Sequence, residues 1–241
     1  MASRKEQNLT SEARPLRSYG RIKARTLKPR QAGLMEALLP HLAVDVGGGI
    51  ELGRLFPSSE GGAVILEIGF GGGEHLVAQA QAAPEARFIG VEPFVNGVAS
   101  CLRHIEESGV GNVRLHQGDA RDVLAALPDA SLDLVYILFP DPWPKKRHWK
   151  RRLIQPELLT ELARVLKPGA EVRFATDWAN YAAWTLEVFS RDPRFAWTAE
   201  AVADWRNAWP GHVRTRYEQK RLGDCAPVWL RFLRLEQAAQ S

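Results

Sequence analysis

The sequence predicts an α/β fold with a doubly wound, mostly parallel sheet and helices on both of its faces. From residue 63 onward, short apolar runs alternate with helical stretches, which is the order of a βαβ series. The first apolar run leads into a glycine-rich turn that opens a helix. Turns of this kind bind ligands at the edge of open α/β sheets.

Each element of this fold is predicted from local pattern. The predicted strands are residues 63–68, 87–92, 112–117, 132–139 and 170–176, with a late edge strand at 227–235. The predicted helices are residues 74–83, 95–108, 120–127, 155–167 and 178–190, the fourth being stopped by Lys167-Pro168-Gly169. Residues 200–226 have no clear periodicity, and we expect a loop-rich insertion beside the site.

Length and composition predict one domain. The chain has 241 residues, and its 45% of apolar and 25% of charged residues are ordinary for a globular protein with a real core. We assign residues 31–241 to that single domain. No apolar run approaches the roughly 20 residues that span a bilayer, so we expect no membrane anchor.

Residues 1–30 form a separate, basic segment. Nine Lys or Arg stand against Glu6 and Glu12, a charge of +7 that leaves about −3 for the rest of a chain whose net charge is +4. The segment has no continuous apolar run, which argues against a secretory signal. An organellar transit peptide is an alternative, but a flexible arm that contacts polyanions is the better prediction.

Cysteine and histidine spacing gives no metal site. Cys101 and Cys225 form no CxxC pair, and we expect both to be reduced and structural. The six histidines form no HxxxH or HxH pair. We therefore expect no bound metal.

The glycine turn at residues 69–73 predicts a cofactor site. Glycines such as Gly69 and Gly71 let backbone N–H groups approach a ligand closely and permit positive φ. Such turns serve NAD, FAD and S-adenosylmethionine alike. The dinucleotide pattern GxGxxG needs a third small residue at position 74, where this chain has Glu74.

Carboxylates stand at the ends of three consecutive predicted strands. They are Glu67, Glu92 and Asp119. Glu92 is placed to accept from a ribose diol, as in NAD sites as well, and Asp119 could accept from an exocyclic amine or simply cap a helix. Together the three suit a cofactor that carries a sulfonium and an ammonium group, whereas they would repel a pyrophosphate.

A lone carboxylate and a block of cations follow the fourth strand. Asp141 should emerge at the carboxyl end of that strand, where open α/β sheets bind ligands. Residues 145–152 are dense in Lys and Arg, which predicts docking onto phosphates without sequence readout. A solvated basic helix start is the alternative. Trp143, between two prolines, could stack on a base, although a packing role is the more ordinary expectation.

At these residues the chain resembles the bacterial tRNA (guanine-N7)-methyltransferase family, whose members have a Rossmann-like class I methyltransferase fold. The resemblance covers roughly residues 60–235. Its most specific parts are residues 139–148 (FPDPWPKKRH), Thr176-Asp177, and Thr215-Arg216-Tyr217-Glu218 followed by Lys220.

The resemblance implies a cytoplasmic enzyme that uses S-adenosylmethionine to methylate a guanine in the variable loop of tRNA, as a monomer or a homodimer. It implies a cofactor pocket lined by Glu67, Gly69, Gly71, Glu92, Asp119 and Asp141, with Asp141 also catalytic. It implies substrate contacts from Lys145, Asp177, Thr215, Arg216, Tyr217 and Glu218. It implies RNA docking by Arg147, His148, Lys150, Arg151 and Arg152.

Two other functions stay open at this point. One is a methyltransferase for another RNA base or for protein, although enzymes that methylate exocyclic or amide nitrogens commonly carry an Asn/Asp-Pro-Pro-Tyr loop where this chain has Asp141-Pro142-Trp143-Pro144. The other is a non-catalytic RNA-binding module with a vestigial cofactor fold. The intact carboxylates at the cofactor positions argue against it.

Overall fold

The computed structural model describes residues 26–59 and 61–236, and a seven-stranded sheet organises them. The strands are β1 Val64–Ile68, β2 Arg87–Val91, β3 Val113–His116, β4 Leu132–Leu138, β5 Leu166–Thr176, β6 Phe195–Trp197 and β7 Val228–Arg234. Their order in the sheet is β3-β2-β1-β4-β5-β7-β6, and all pairs are parallel except the two that β7 makes with β5 and β6. The predicted doubly wound, mostly parallel sheet is confirmed, while β6 was not predicted.

Helices cover both faces of this sheet. They are α1 Pro29–Ala37, α2 Leu39–Leu42, α3 Leu52–Leu55, α4 Glu74–Ala82, α5 Val95–Ser108, α6 Ala120–Ala126, α7 Pro156–Val165, α8 Ala179–Ser190, α9 Ala203–Arg206 and α10 Arg216–Lys220, with a 3-10 turn at Lys146–Arg151. Helices α1, α4 and α5 pack in one apolar cluster, and α6, α7 and α8 pack in another. The sheet therefore lies between two cores, as its near-continuous apolar strands require.

Apolar spacing explains why α5 forms and where it ends. Val98, Leu102 and Ile105 lie four and three residues apart and are buried, so they share one face of the helix. Gly109 ends the helix in the left-handed conformation at φ 69°.

The segment around Lys167-Pro168-Gly169 differs from its prediction. Helix α7 ends at Val165, and Leu166 already pairs with Leu132 of β4. The register then shifts between Leu132 and Leu134, so the predicted helix stop lies in an irregular part of β5. The cause is tertiary: a neighbouring strand offers hydrogen bonds that no local pattern reveals.

The two chain segments predicted to be irregular are partly helical. Of the predicted arm, residues 1–25 lie outside the described residues, and α1 begins at Pro29 within it. Leu34 of α1 packs in the apolar cluster that includes α5, and the exposed Arg30 lies 2.7 Å from Glu106 of α5. The 200–226 segment contains α9 and α10 between loops.

Candidate active site

The main cleft opens at the carboxyl ends of the parallel strands. It has a volume of about 560 Å³ and is bordered by the ends of β1, β2 and β4. Strand β1 pairs with both β2 and β4, so the chain winds away from it in two directions, and this is the switch point at which such sheets bind ligands. The lining includes Glu67, Gly69, Gly71, Glu92, Asp119, Asp141, Trp143, Arg151, Thr215, Arg216, Tyr217 and Lys220.

The glycine turn adopts the conformation that its sequence predicts. Gly71 has φ 56° and Gly73 has φ 82°, both in the left-handed region that disfavours side chains. A Cβ at Gly71 would meet nothing, whereas one at Gly73 would overlap Cys101 of α5. The turn thus leaves open space on its cleft side and packs closely on its helix side.

Glu92 is tied to this turn by two backbone hydrogen bonds. Its Oε2 accepts from the N–H of Gly71 at 2.8 Å, and its Oε1 accepts from the N–H of Phe94 at 2.9 Å. Burial raises the pKa of Glu92, and the two hydrogen bonds oppose that rise. A carboxylate oxygen has a second lone pair, so Glu92 can still accept from a ligand diol.

Glu67 is buried, and a histidine that the sequence did not single out holds it. Only 2% of Glu67 is exposed, and its Oε2 lies 2.8 Å from Nδ1 of His75 in α4. Tyr136 of β4 packs edge-on against the imidazole, with ring centroids 4.7 Å apart. The orientation of the Glu67 carboxylate therefore depends on His75.

Asp119 serves as a helix cap, the alternative that the sequence left open. Its carboxylate accepts from the backbone N–H of Arg121 at 3.0 Å and pairs with the Arg121 guanidinium at 2.9 Å. It also lines the cleft. Capping the helix and lining the cleft are compatible, because the cap fixes the carboxylate at the mouth of the cleft.

Asp141 lies in a backbone loop with unusual torsion angles. Phe139 has φ 49° and Trp143 has φ 42°, values that are uncommon outside glycine and that cluster at functional sites. Solvent reaches Asp141 through the cleft, yet the protein atoms around it desolvate the carboxylate and raise its pKa. Among the described residues it makes no hydrogen bond or ion pair. The Asp141 carboxylate thus lines the cleft without a protein partner among the described residues.

The cations after Asp141 divide into exposed and buried groups. Lys145, Arg147 and Lys150 are exposed and lie outside the cleft lining, where a polyanion could reach them. His148 is half-buried, and burial together with the neighbouring cations lowers its pKa. Arg151 lies over the ring of Trp143 at 5.0 Å, and both line the cleft.

Arg152 corrects the sequence-based assignment. It is 1% exposed, with its guanidinium over the rings of Trp149 and Tyr181 at 4.7 and 4.8 Å. Its Nε donates to the carbonyl of Pro142 at 3.0 Å. Arg152 therefore cannot dock RNA; it fastens the loop of Asp141 to α8 through Asn180.

Some of the predicted substrate residues line the cleft and others do not. Thr215, Arg216 and Tyr217 line the cleft, and the Thr215 hydroxyl caps α10 by accepting from the N–H of Glu218 at 3.2 Å. Glu218 turns away from the cleft lining toward His212, at 2.8 Å. Asp177 accepts from the N–H of Gly223 at 2.8 Å and holds the turn after α10, also outside the lining.

Neither a metal cluster nor a membrane-spanning helix occurs in the described part of the chain. In residues 26–59 and 61–236, no group of three or more His, Cys, Asp or Glu is arranged to hold a metal ion. No helix within those ranges is long and apolar enough to cross a membrane.

The sheet, the glycine turn and the strand-end carboxylates define a class I methyltransferase fold. The crystal structure of precorrin-6y C5,15-methyltransferase from Geobacter metallireducens matches with a TM-score of 0.50 at 16% identity, covering 73% of this chain and 81% of that one. The model of the family described as "Putative methyltransferase" matches residues 62–229. Because that crystal structure is only 16% identical in sequence, its likeness shows the fold alone.

Sequence relatives identify a family within the methyltransferase class. The tRNA (guanine-N(7)-)-methyltransferase of Caulobacter vibrioides is 62% identical over 91% of this chain and 96% of its own. Proteins of the same name from Nitrobacter hamburgensis and Hyphomonas neptunium are 51% and 49% identical, over 92% and 90% of this chain and 88% and 99% of theirs. The chain belongs to the tRNA (guanine-N7)-methyltransferase family, which confirms the resemblance found in the sequence.

Proposed function

We propose that this protein transfers the methyl group of S-adenosylmethionine to N7 of a guanine in the variable loop of tRNA. The observation that carries the proposal is the Asp141 carboxylate, which faces the cleft without a hydrogen-bond partner among the described residues, next to an exposed cationic turn. Relatives up to 62% identical are named tRNA (guanine-N(7)-)-methyltransferase, which supports guanine N7 of tRNA as the methyl acceptor.

The donor set of the cleft fits the cofactor. S-adenosylmethionine supplies an electrophilic methyl group on a sulfonium, and it carries an ammonium, a ribose diol and an adenine amine. Glu67 and Asp141 offer negative charge, Glu92 offers acceptors for a diol, and Asp119 offers an acceptor for an amine. Gly69 and Gly71 leave room for the ligand against the turn.

Methylation of guanine at N7 does not require a general base. The N7 lone pair of guanine lies in the ring plane and forms the new N–C bond, while the electrons of the C–S bond return to sulfur. No proton need leave N7 first. Catalysis then depends on alignment and on excluding water, which together can contribute several kcal/mol.

Asp141 is the residue that we assign to gripping the base. Guanine offers N1–H and an exocyclic amine on the edge opposite N7, a donor pair that one carboxylate can accept. Asp177 and Glu218 are the other carboxylates that the resemblance implies contact the substrate, but both are engaged with protein groups outside the cleft lining. Reading that edge requires an unpaired base, such as one in a flexible loop.

Docking would come from the exposed part of the cationic turn. Arg147 and Lys150 can neutralise phosphates without reading sequence. Arg151, at the cleft, lies between that surface and the Asp141 loop. Phosphate contacts beside the cleft suit tRNA as the substrate.

The test is transfer of labelled methyl from S-adenosylmethionine to unmodified tRNA, followed by nucleoside analysis of the product. We expect 7-methylguanosine, mapped to the variable loop. A different methylated nucleoside would overturn the base assignment. Tight tRNA binding without any incorporation would replace the proposal with a binding module.

A further inference from the structure

Two buried histidines lie between the cofactor side of the cleft and the helix on its substrate side. His75, in α4, holds Glu67 at 2.8 Å, and His212, just before α10, holds Glu218 at 2.8 Å. The side chains of His75 and His212 are 1% and 4% exposed, and their ring centroids lie 5.6 Å apart. Neither histidine belongs to a sequence motif.

Each imidazole has a single hydrogen bond among the described residues. His75 uses Nδ1 and His212 uses Nε2, and a carboxylate partner accepts, so each of these nitrogens donates. The other nitrogens, Nε2 of His75 and Nδ1 of His212, are buried without a partner in that part of the chain. Each histidine therefore uses its one hydrogen bond on a carboxylate.

His212 also connects the α10 segment to the sheet. Its ring packs against Trp229 of β7 with centroids 4.4 Å apart. Beside it, Gln79 of α4 donates to the carbonyl of Gly211 at 2.7 Å. Burial lowers the pKa of His212 and the Glu218 carboxylate opposes that effect, which favours a neutral ring that donates from Nε2.

The two carboxylates that the histidines hold, Glu67 and Glu218, have different surroundings. Glu67 lines the cleft beside the glycine turn. Glu218 lies on α10 next to Thr215, Arg216 and Tyr217, which line the opposite part of the cleft. Arg214 lies 3.6 Å from the other oxygen of Glu218, but its side chain is 73% exposed, so that ion pair is weak.

We propose that His75 and His212 are positioning residues for the two substrates: His75 orients Glu67 toward the cofactor, and His212 orients α10 toward the RNA. This proposal rests on the proposed function. It predicts that loss of the His75 hydrogen bond weakens cofactor binding and that loss of the His212 hydrogen bond weakens tRNA binding. Neither histidine is among the residues that line the cleft.

The test uses amide isosteres that fit one histidine and not the other. An asparagine amide lies where Nδ1 of histidine lies, and a glutamine amide lies where Nε2 lies. At the first site, His75→Asn should therefore preserve the donor to Glu67, whereas His75→Gln misplaces it. At the second site, His212→Gln should preserve the donor to Glu218, whereas His212→Asn misplaces it. The readouts are dissociation constants from calorimetry with S-adenosylmethionine alone and with unmodified tRNA alone.

We expect the two mismatched variants to lose affinity for different ligands. His75→Gln should weaken S-adenosylmethionine binding about tenfold, equivalent to about 1.4 kcal/mol, with tRNA affinity within about threefold of wild type. His212→Asn should weaken tRNA binding about tenfold with cofactor affinity within about threefold. His75→Asn and His212→Gln should stay within about threefold for both ligands.

These measurements separate the positioning proposal from the proposed function. If the wild-type protein binds neither ligand, the proposed function fails. If it binds both but Asn and Gln behave alike at each site, the position of the donor does not matter and the positioning proposal is overturned. If both variants of a site fail to fold, that histidine has a structural role instead, which overturns the proposal for that site. A reversed assignment, with His212→Asn impairing cofactor binding alone, would overturn it as well.

Discussion

Asp141 differs from the other carboxylates of the cleft in what surrounds it. Glu67, Glu92 and Asp119 each accept hydrogen bonds from protein groups that fix their orientation. Asp141 has no such partner among the described residues; its loop lies between two residues with positive φ, and Arg152 donates to the carbonyl of the adjacent Pro142. Its carboxylate therefore remains available to the substrate.

Replacing Asp141 by alanine should lower methyl transfer by at least about tenfold, equivalent to about 1.4 kcal/mol of barrier. The reason is the loss of the grip on the guanine edge. The measurement is turnover with saturating tRNA and cofactor, with the thermal melt as a check on folding. Turnover near that of the wild type would remove Asp141 from the mechanism.

The raised pKa of Asp141 also has a consequence for stability. Because desolvation lifts its pKa above the unfolded value, the ionised carboxylate disfavours the folded state once the pH exceeds the folded-state pKa. Asp141→Asn should therefore raise Tm at neutral pH, and the gain should vanish as the pH falls below the ordinary aspartate pKa. The check is Tm of both proteins across that pH range, and an unchanged difference at all pH values would contradict it.

At the scale of elements, the cationic turn shows that a run of like charges does not reveal which of its members is buried. The sequence of residues 145–152 predicts one docking surface, but Arg152 points inward onto three aromatic rings. Charge alone cannot tell which arginine is buried, because two of its aromatic partners come from α8, distant in the chain. The exposed members retain the predicted docking role.

Replacing Arg147 and Lys150 together by alanine should weaken tRNA binding and lower its log–log salt slope by about 0.7–0.9 for each phosphate that the variant no longer neutralises. Cofactor affinity should not change, because neither residue lines the cleft. The matched control is Arg54→Ala, an exposed arginine on α3 outside the lining. If the control and the double variant give equal slopes, the docking surface lies elsewhere.

At the scale of the whole molecule, periodic pattern predicted the sheet well. All six predicted strands are present because each is a run of apolar or alternating residues, while β6 was missed because Phe195–Trp197 is too short to show a pattern. The cleft carboxylates were predictable from their positions at or after the ends of strands. His75 was not, because its partner Glu67 lies across a strand end and a turn.

Cofactor binding should stabilise the entire fold, since the cleft joins three strands and α10. At one hundred times its Kd, S-adenosylmethionine should add about 2.7 kcal/mol. For a chain of this length that corresponds to a rise in Tm of about 5–10 °C. NAD at the same concentration is the control, and a rise with NAD in place of S-adenosylmethionine would restore the dinucleotide alternative.

The most direct measurement of the central claim uses a substrate that lacks the reacting atom. Two tRNA transcripts are compared, one unmodified and one with 7-deazaguanine at the variable-loop guanine, where a C–H replaces N7. Labelled methyl should enter the first and be absent from that position in the second, although both should bind. Equal incorporation into both transcripts would contradict methylation at N7.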